Sequence, residues 1–187
     1  MNPIKLEPGK GRLLISEPFL HDPFFNRSVV LLTEHNENGS VGFILNKPIN
    51  IKLNDALEEF PQFNTDLYLG GPVQRDSLFY IHTIGDSISD SIEIFDGIYW
   101  GGNFEALKIL VKKNEVDTSE LRFFMGYSGW KGDQLDAELK KNSWIVTPAK
   151  AEYIMNVLPE KLWSNILKGL GKNYAMLANF PEFPSLN

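Results

Sequence analysis

The sequence predicts an α+β domain with a largely antiparallel sheet, and three features carry that prediction. Short apolar runs flank Asn38-Gly39 in SVVLLTEHNENGSVGFILNKP, and others flank Asp96-Gly97 in SIEIFDGIYW. Both dipeptides tolerate the positive backbone angles of a two-residue hairpin turn. Between and after these hairpins lie stretches with helical apolar spacing and capping residues, the interleaving expected of an α+β fold.

Taken in order, strands are expected near 28–34 and 40–46, and Pro48 closes the second because proline cannot donate to a ladder. LNDALEEF then reads as a short helix with Asn54 as its N-cap. LYLGGPV and SLFYIHT read as strands. Asn103 reads as the N-cap of FEALKILVKKN, whose Phe104, Leu107, Leu110 and Val111 share one face. ELRFFMGYS reads as a strand, Gly129 to Gly132 as a turn, and Asp133 to Lys141 as a helix that turns Leu135 and Leu139 to the core. SWIVTP returns as a strand, with Pro148 placed in the first turn of a following helix. Pro159 opens another, carrying Leu162, Trp163, Ile166 and Leu170 until Gly171 stops it, and the tail NFPEFPSLN reads as irregular. Without repeats, low-complexity runs or a linker, residues 1–187 read as a single domain.

Composition narrows the function classes. With 24 acidic and 18 basic residues the net charge is -6, a field that repels a phosphate backbone and disfavours direct DNA binding. No cysteine is present, which removes thiolate catalysis, thiolate metal sites and disulfides together. No signal-peptide core or membrane-spanning run is visible, so a soluble cytoplasmic protein without membrane contact is expected.

Motifs for chemistry are sparse. GYSGW at 126–130 resembles a nucleophile elbow until its fifth position, where Trp130 replaces the glycine that lets the chain turn sharply, so Ser128 is not read as a nucleophile. His21, His35 and His82 have no metal-ligand spacing. His35 reads as a solvated neighbour of Glu34, and His82 as a hydrogen-bonded edge or core histidine. Gly70-Gly71-Pro72 and Gly101-Gly102-Asn103 match no phosphate-binding motif and read as tight turns, and no cofactor motif is present.

The polar residues leave more open. Gln134 and Glu138 lie four apart on one helix face, where they either converge on the space near Ser128 or form a solvated face with Glu138 paired to Lys141. Asp22 and Arg27 in HDPFFNRSVV form either a structural ion pair or a substrate-gripping one.

LLISEPFLHDPFFNRSVVLLTEHNENGSVGFILNKP, LYLGGPV, MGYSGWKGDQLDAEL and NSWIV, in that order, resemble the bacterial YqgE/AlgH family from about Gly11 to at least Trp144. The resemblance implies a strongly bent, barrel-like antiparallel sheet flanked by helices, in a cytosolic protein without a settled activity. Members are often labelled transcriptional regulators, yet this chain shows no helix-turn-helix. Relatives often look like Gly-Tyr-Ala-Gly-Trp where this chain has Ser128, and they tend to carry Ser or Thr where it has Gly101-Gly102-Asn103. The family-like polar residues are Asp22, Arg27, Ser28, Glu34, Asn46, Gln134 and Glu138.

The reading that results is a non-enzymatic regulatory module, or a module that binds an unidentified small molecule or protein, with a pocket lined by Asp22, Arg27, Asn46, Trp130, Gln134 and Glu138. The alternative is a hydrolase or acid/base enzyme with Glu138 or Asp22 as general base.

Overall fold

The computed structural model describes residues 6–155 and 158–180. Its strands are β1 (Arg12–Ser16), β2 (Val29–Asn36), β3 (Gly39–Ile44), β4 (Pro48–Lys52), β5 (Asp66–Leu69), β6 (Val73–His82), β7 (Ile92–Phe95), β8 (Ile98–Trp100), β9 (Leu121–Lys131) and β10 (Trp144–Pro148). The helices are α1 (Leu53–Ala56), α2 (Phe104–Lys112), α3 (Gln134–Lys140), α4 (Ala151–Ile154), α5 (Pro159–Gly169) and α6 (Lys172–Leu177). None of the described helices is long and apolar enough to cross a membrane.

The strands form one sheet in the order β10-β1-β2-β3-β9-β6-β8-β7, with β5 between β4 and β9. Every pairing is antiparallel except β5 with β9. Register shifts in β2 between Leu32 and Glu34 and in β6 between Val73 and Leu78 are of the kind that bends a strand. The sheet is bent but not closed, since β10 and β7 stand at opposite ends of the order.

Strands β1 to β3 are apolar on both faces, which explains why their sequences run on as Val, Leu and Ile instead of alternating with polar residues. Leu13, Ile15, Val29, Leu31 and Phe43 pack with Trp163, Ile166 and Leu167 of α5. The intervening Leu14, Val30, Leu32 and Ile44 pack with Trp130, Trp144 and α3 residues Leu135 and Leu139. A third cluster joins α1 and α2 to Phe60, Phe63 and Phe123.

Both hairpins form; Asp96-Gly97 makes the turn of the second, whereas in the first Asn36 pairs with Gly39, so the turn falls on Glu37-Asn38, one residue earlier than expected. Asn103 caps α2 by accepting the Ala106 N–H at 2.9 Å, and Pro159 opens α5. Three expectations are corrected. The strand before the GYSGW turn does not end at Ser128: β9 continues to Lys131, because Gly39 to Gly42 of β3 offer it a ladder, with Ser40 opposite Trp130. The bend is instead at Gly126, φ +70, where β9 leaves β5 for β3. Gly126 also meets Gly70 so closely that a Cβ on Gly70 would lie 2.1 Å from the Gly126 oxygen. Asn54 is inside α1, not its cap. Its amide donates to the carbonyls of Phe60 and Pro61 and accepts from the Phe63 N–H, tying down the following loop. Pro148 ends β10, and the next helix starts after Lys150. Gly171, at φ +119, stops α5 as expected, directly after its C-cap Leu170, and a further helix, α6, follows. Of the tail read as irregular, residues 181–187 lie outside the described residues.

Candidate functional site

The six predicted site residues fall into two hydrogen-bonded groups joined by the loop before β2. In the first, α3 begins just beyond the end of β9 and runs over the sheet, so Glu138 meets the indoles of Trp130 and Trp144 while Gln134, one turn earlier, stays exposed beside it. Glu138 Oε2 accepts the Trp130 indole N–H at 2.9 Å and the Trp144 indole N–H at 2.7 Å. Its Oε1 accepts from Gln134 at 3.1 Å, and the Gln134 oxygen accepts the Lys131 N–H at 3.2 Å. Of the two arrangements open from sequence, neither is formed: Glu138 turns to the indoles, while the Ser128 hydroxyl donates to the Gly70 carbonyl at 2.9 Å.

The second group holds the chain where it enters β2. Asn46 accepts the Val29 N–H and donates to the Arg27 carbonyl, both at 2.9 Å, and Lys47 donates to the Asn26 carbonyl at 2.7 Å. Arg27, at φ +49, directs its guanidinium away from the loop to lie 4.9 Å from the Trp163 ring centroid, and its Nη2 donates to the main-chain carbonyl of Phe180.

Asp22 links the groups through a turn. Its Oδ1 accepts the N–H groups of Phe24 and Phe25 at 2.8 and 2.9 Å, a turn that short carboxylates favour. The Phe25 ring then stacks on Trp130 with centroids 5.8 Å apart and meets Trp144 edge-on at 5.3 Å. Asp22 and Arg27 do not form an ion pair: the carboxylate is turned to backbone N–H groups and the guanidinium to α5 and Phe180.

Sequence reasoning overlooked Phe25, Trp144 and Trp163 as members of this region. One signal was available for the two tryptophans, since a buried indole N–H needs an acceptor. Trp144 found Glu138, and Trp163 donates to the Ser16 carbonyl at 3.0 Å.

The other sequence features resolve into architecture. Gly101 and Gly102 present carbonyls inward, to His82 Nε2 at 3.0 Å and the Tyr80 hydroxyl at 2.9 Å. The N–H groups of Gly101 and Asn103 are taken by the carbonyls of Tyr80 and Ser89, so the turn does not present them to an anion. His82 is buried, and His35 faces Ser40 across its hairpin at 2.8 Å. Among the described residues no three His, Asp or Glu side chains gather as a metal site. A separate groove of about 610 Å³ runs between α2 and residues 59–62, lined by Phe60, Pro61, Lys108, Ile109 and Lys112 among others. It contains none of the six residues, and its Lys108 is paired with Glu105 at 3.0 Å.

A family model described as AlgH-like matches residues 13–175. The chain belongs to the AlgH-like family. A UPF0301 protein of Cytophaga hutchinsonii is 48% identical over 179 residues, covering 95% of this chain and 98% of the relative. One of Chlorobium limicola is 44% identical over 183 residues, covering 98% and 97%. The solution structure of the AlgH protein from Pseudomonas aeruginosa superposes with a TM-score of 0.74 at 30% identity, covering 95% of this chain and 98% of that one. A crystal structure of a Corynebacterium diphtheriae protein gives 0.78 at 21% identity over 95% of each chain, a likeness of fold alone. This AlgH-like chain therefore shares its fold with both solved structures over 95% of its length, and the names of its relatives state no reaction.

Proposed function

We propose that this AlgH-like protein is a non-catalytic binding module of the cytoplasm, acting in regulation by engaging a small molecule or protein through the surface around Asp22, Arg27, Asn46, Trp130, Gln134 and Glu138. The observation that carries this reading is how the two candidate bases are used. Glu138 accepts three N–H donors, two from buried indoles, and Asp22 accepts two from the backbone. A general base must offer an oxygen to the proton it removes, and here that would mean releasing bonds that hold α3 and the loop in place. Rigid loop anchoring beside aromatic side chains instead suits recognition, in which pre-ordered groups lose little entropy on binding. Regulation on this reading works through a bound partner and does not need contact with DNA.

The test is a broad hydrolase panel run on wild type, Glu138→Gln and Asp22→Asn, alongside NMR titration with a metabolite library. The reading expects no turnover and ligand-dependent shifts at Trp130, Trp144 or Trp163. Turnover by the wild type that disappears in either variant would replace it with the acid/base enzyme.

A further inference from the structure

Arg27 carries a recognition edge that is only half used. The Nε–H and one Nη2–H of a guanidinium lie side by side, spaced to meet the two oxygens of a carboxylate. Here Nη2 has the Phe180 carbonyl as its acceptor, whereas Nε is buried without one. A peptide carbonyl supplies a single oxygen, so it fills one arm and leaves the other unpaired. No described acid forms an ion pair with Arg27. Trp163 supports the guanidinium from one side, an arrangement that holds it flat for edge-on recognition.

The group occupying the first arm is lightly held. Phe180 follows α6, and its ring meets Phe19 edge-on at 5.8 Å while both rings remain about half exposed, at 47% and 48%. Opening this contact would free Arg27 and uncover two aromatic faces beside it.

We propose that Arg27 is the receptor for a small aromatic carboxylate and that Phe180 covers it, so that ligand binding displaces the Phe180 carbonyl from the guanidinium. This rests on the binding-module reading and names the ligand class. A carboxylate fills both arms in the plane of the fork, and its ring takes the place of Phe180 against Phe19.

Benzoate is the probe, titrated into the full chain with the Trp163 indole N–H followed by NMR. Wild type should bind with a Kd of about 10 mM or tighter, in the range open to so small a ligand. Phe180→Ala should tighten binding by roughly fivefold, a fraction of one ring contact. Arg27→Lys keeps the charge without the fork and should weaken binding by about tenfold. Equal affinity in Arg27→Lys and wild type overturns the proposal. So does inorganic phosphate binding as tightly as benzoate, or a Phe180→Ala protein that binds no better than wild type. If Arg27→Lys melts too low to titrate, benzamide on wild type decides, since it keeps the ring without the carboxylate and must bind at least about tenfold more weakly than benzoate, equal affinity overturning the proposal. Shifts at Trp130 and Trp144 without Trp163 would remove this inference and leave the binding reading standing. Turnover lost in Glu138→Gln would do the reverse.

Discussion

Trp130 and Trp144 donate their indole N–H groups to the same atom, Oε2 of Glu138, although they stand on strands at different places in the sheet. Their rings meet edge-on, 5.8 Å apart at 81°, and each is almost fully buried. The shared acceptor makes Glu138 a tie between α3, β9 and β10. Glu138→Gln retains an oxygen for the indoles but loses the charge that strengthens both bonds, and should cost about 1–2 kcal/mol. Glu138→Leu leaves two buried donors unpaired and should cost more, about 2–4 kcal/mol. Urea unfolding gives the order directly, and a leucine variant as stable as wild type would show that the tie contributes nothing.

Ser128 and Trp130 lie two residues apart on β9 and should respond very differently to truncation. The Ser128 hydroxyl bonds not within its own turn but to Gly70, whose carbonyl also accepts the Ile44 N–H. That carbonyl keeps a partner when the hydroxyl is removed, so Ser128→Ala should cost about 0.5–1.5 kcal/mol and leave ligand binding unchanged. Trp130→Ala removes a ring packed against Phe25 and Trp144 and should cost about 3–5 kcal/mol. A Ser128→Ala protein that is stable but inactive in binding would show that the hydroxyl acts beyond its bond to Gly70.

The contrast marks what the sequence could convey. The i,i+4 spacing of Gln134 and Glu138 put them on one helix face, and the structure agrees, because helical geometry is local. What that face meets depends on β10, which no spacing within 126–141 encodes. Asp96-Gly97 likewise announced its own hairpin, and both residues adopt the positive φ it needs, +43 and +76. The continuation of β9 through Gly129 and Trp130 was hidden, since it follows from β3 lying alongside and not from local preference. The direction of Arg27 was hidden for the same reason, being set by Trp163 and Phe180 more than 130 residues away in sequence.

Arg122 is a buried cation with carbonyl partners in place of a carboxylate. It donates to the carbonyls of Ile154 and Leu45, both at 2.6 Å, and lies 4.2 Å from the Tyr68 ring centroid. Burial lowers its pKa to about 10, against the opposing influence of Tyr68, so it remains charged at neutral pH. Lysine offers one ammonium nitrogen in place of the two Nη groups that reach the separate carbonyls, and its charge is more easily lost on burial, so Arg122→Lys should destabilise by about 2–4 kcal/mol. Thermal melting tests this, and an unchanged midpoint would mean that the two carbonyls do not depend on the fork.

Direct DNA binding should be absent at physiological salt. The net charge of -6 gives no long-range attraction, and the basic groove residue Lys108 is already paired with Glu105. A gel-shift titration in about 0.15 M salt should show no specific complex. A Kd of about 0.1 micromolar or tighter, close to the range of operator proteins, would contradict this.

His82 should make stability fall as the solution is acidified below pH 6.5. Its Nε2 faces the Gly101 carbonyl at 3.0 Å and must carry the proton there, which leaves Nδ1 as the bare nitrogen, buried and without a partner. Tyr99 stacks on the ring at 5.7 Å, and Tyr80 lies tilted against it at 5.5 Å. Desolvation lowers the pKa from its ordinary 6.5, and the bond to Gly101 offsets this only in part. The unfolded chain thus takes up a proton before the folded one does. Stability is complete above about pH 6.5 and declines below it, by up to about 1.4 kcal/mol per pH unit until the folded histidine also protonates. Asp117 is held below its ordinary 3.8 by the Ser119 N–H and hydroxyl, so its own contribution is lost only at lower pH and does not overlap this window. His82→Gln keeps a donor for Gly101 and removes the titration. Denaturation midpoints between pH 7 and 5 should therefore fall more steeply for wild type than for the variant, and parallel profiles would show that His82 does not govern acid sensitivity.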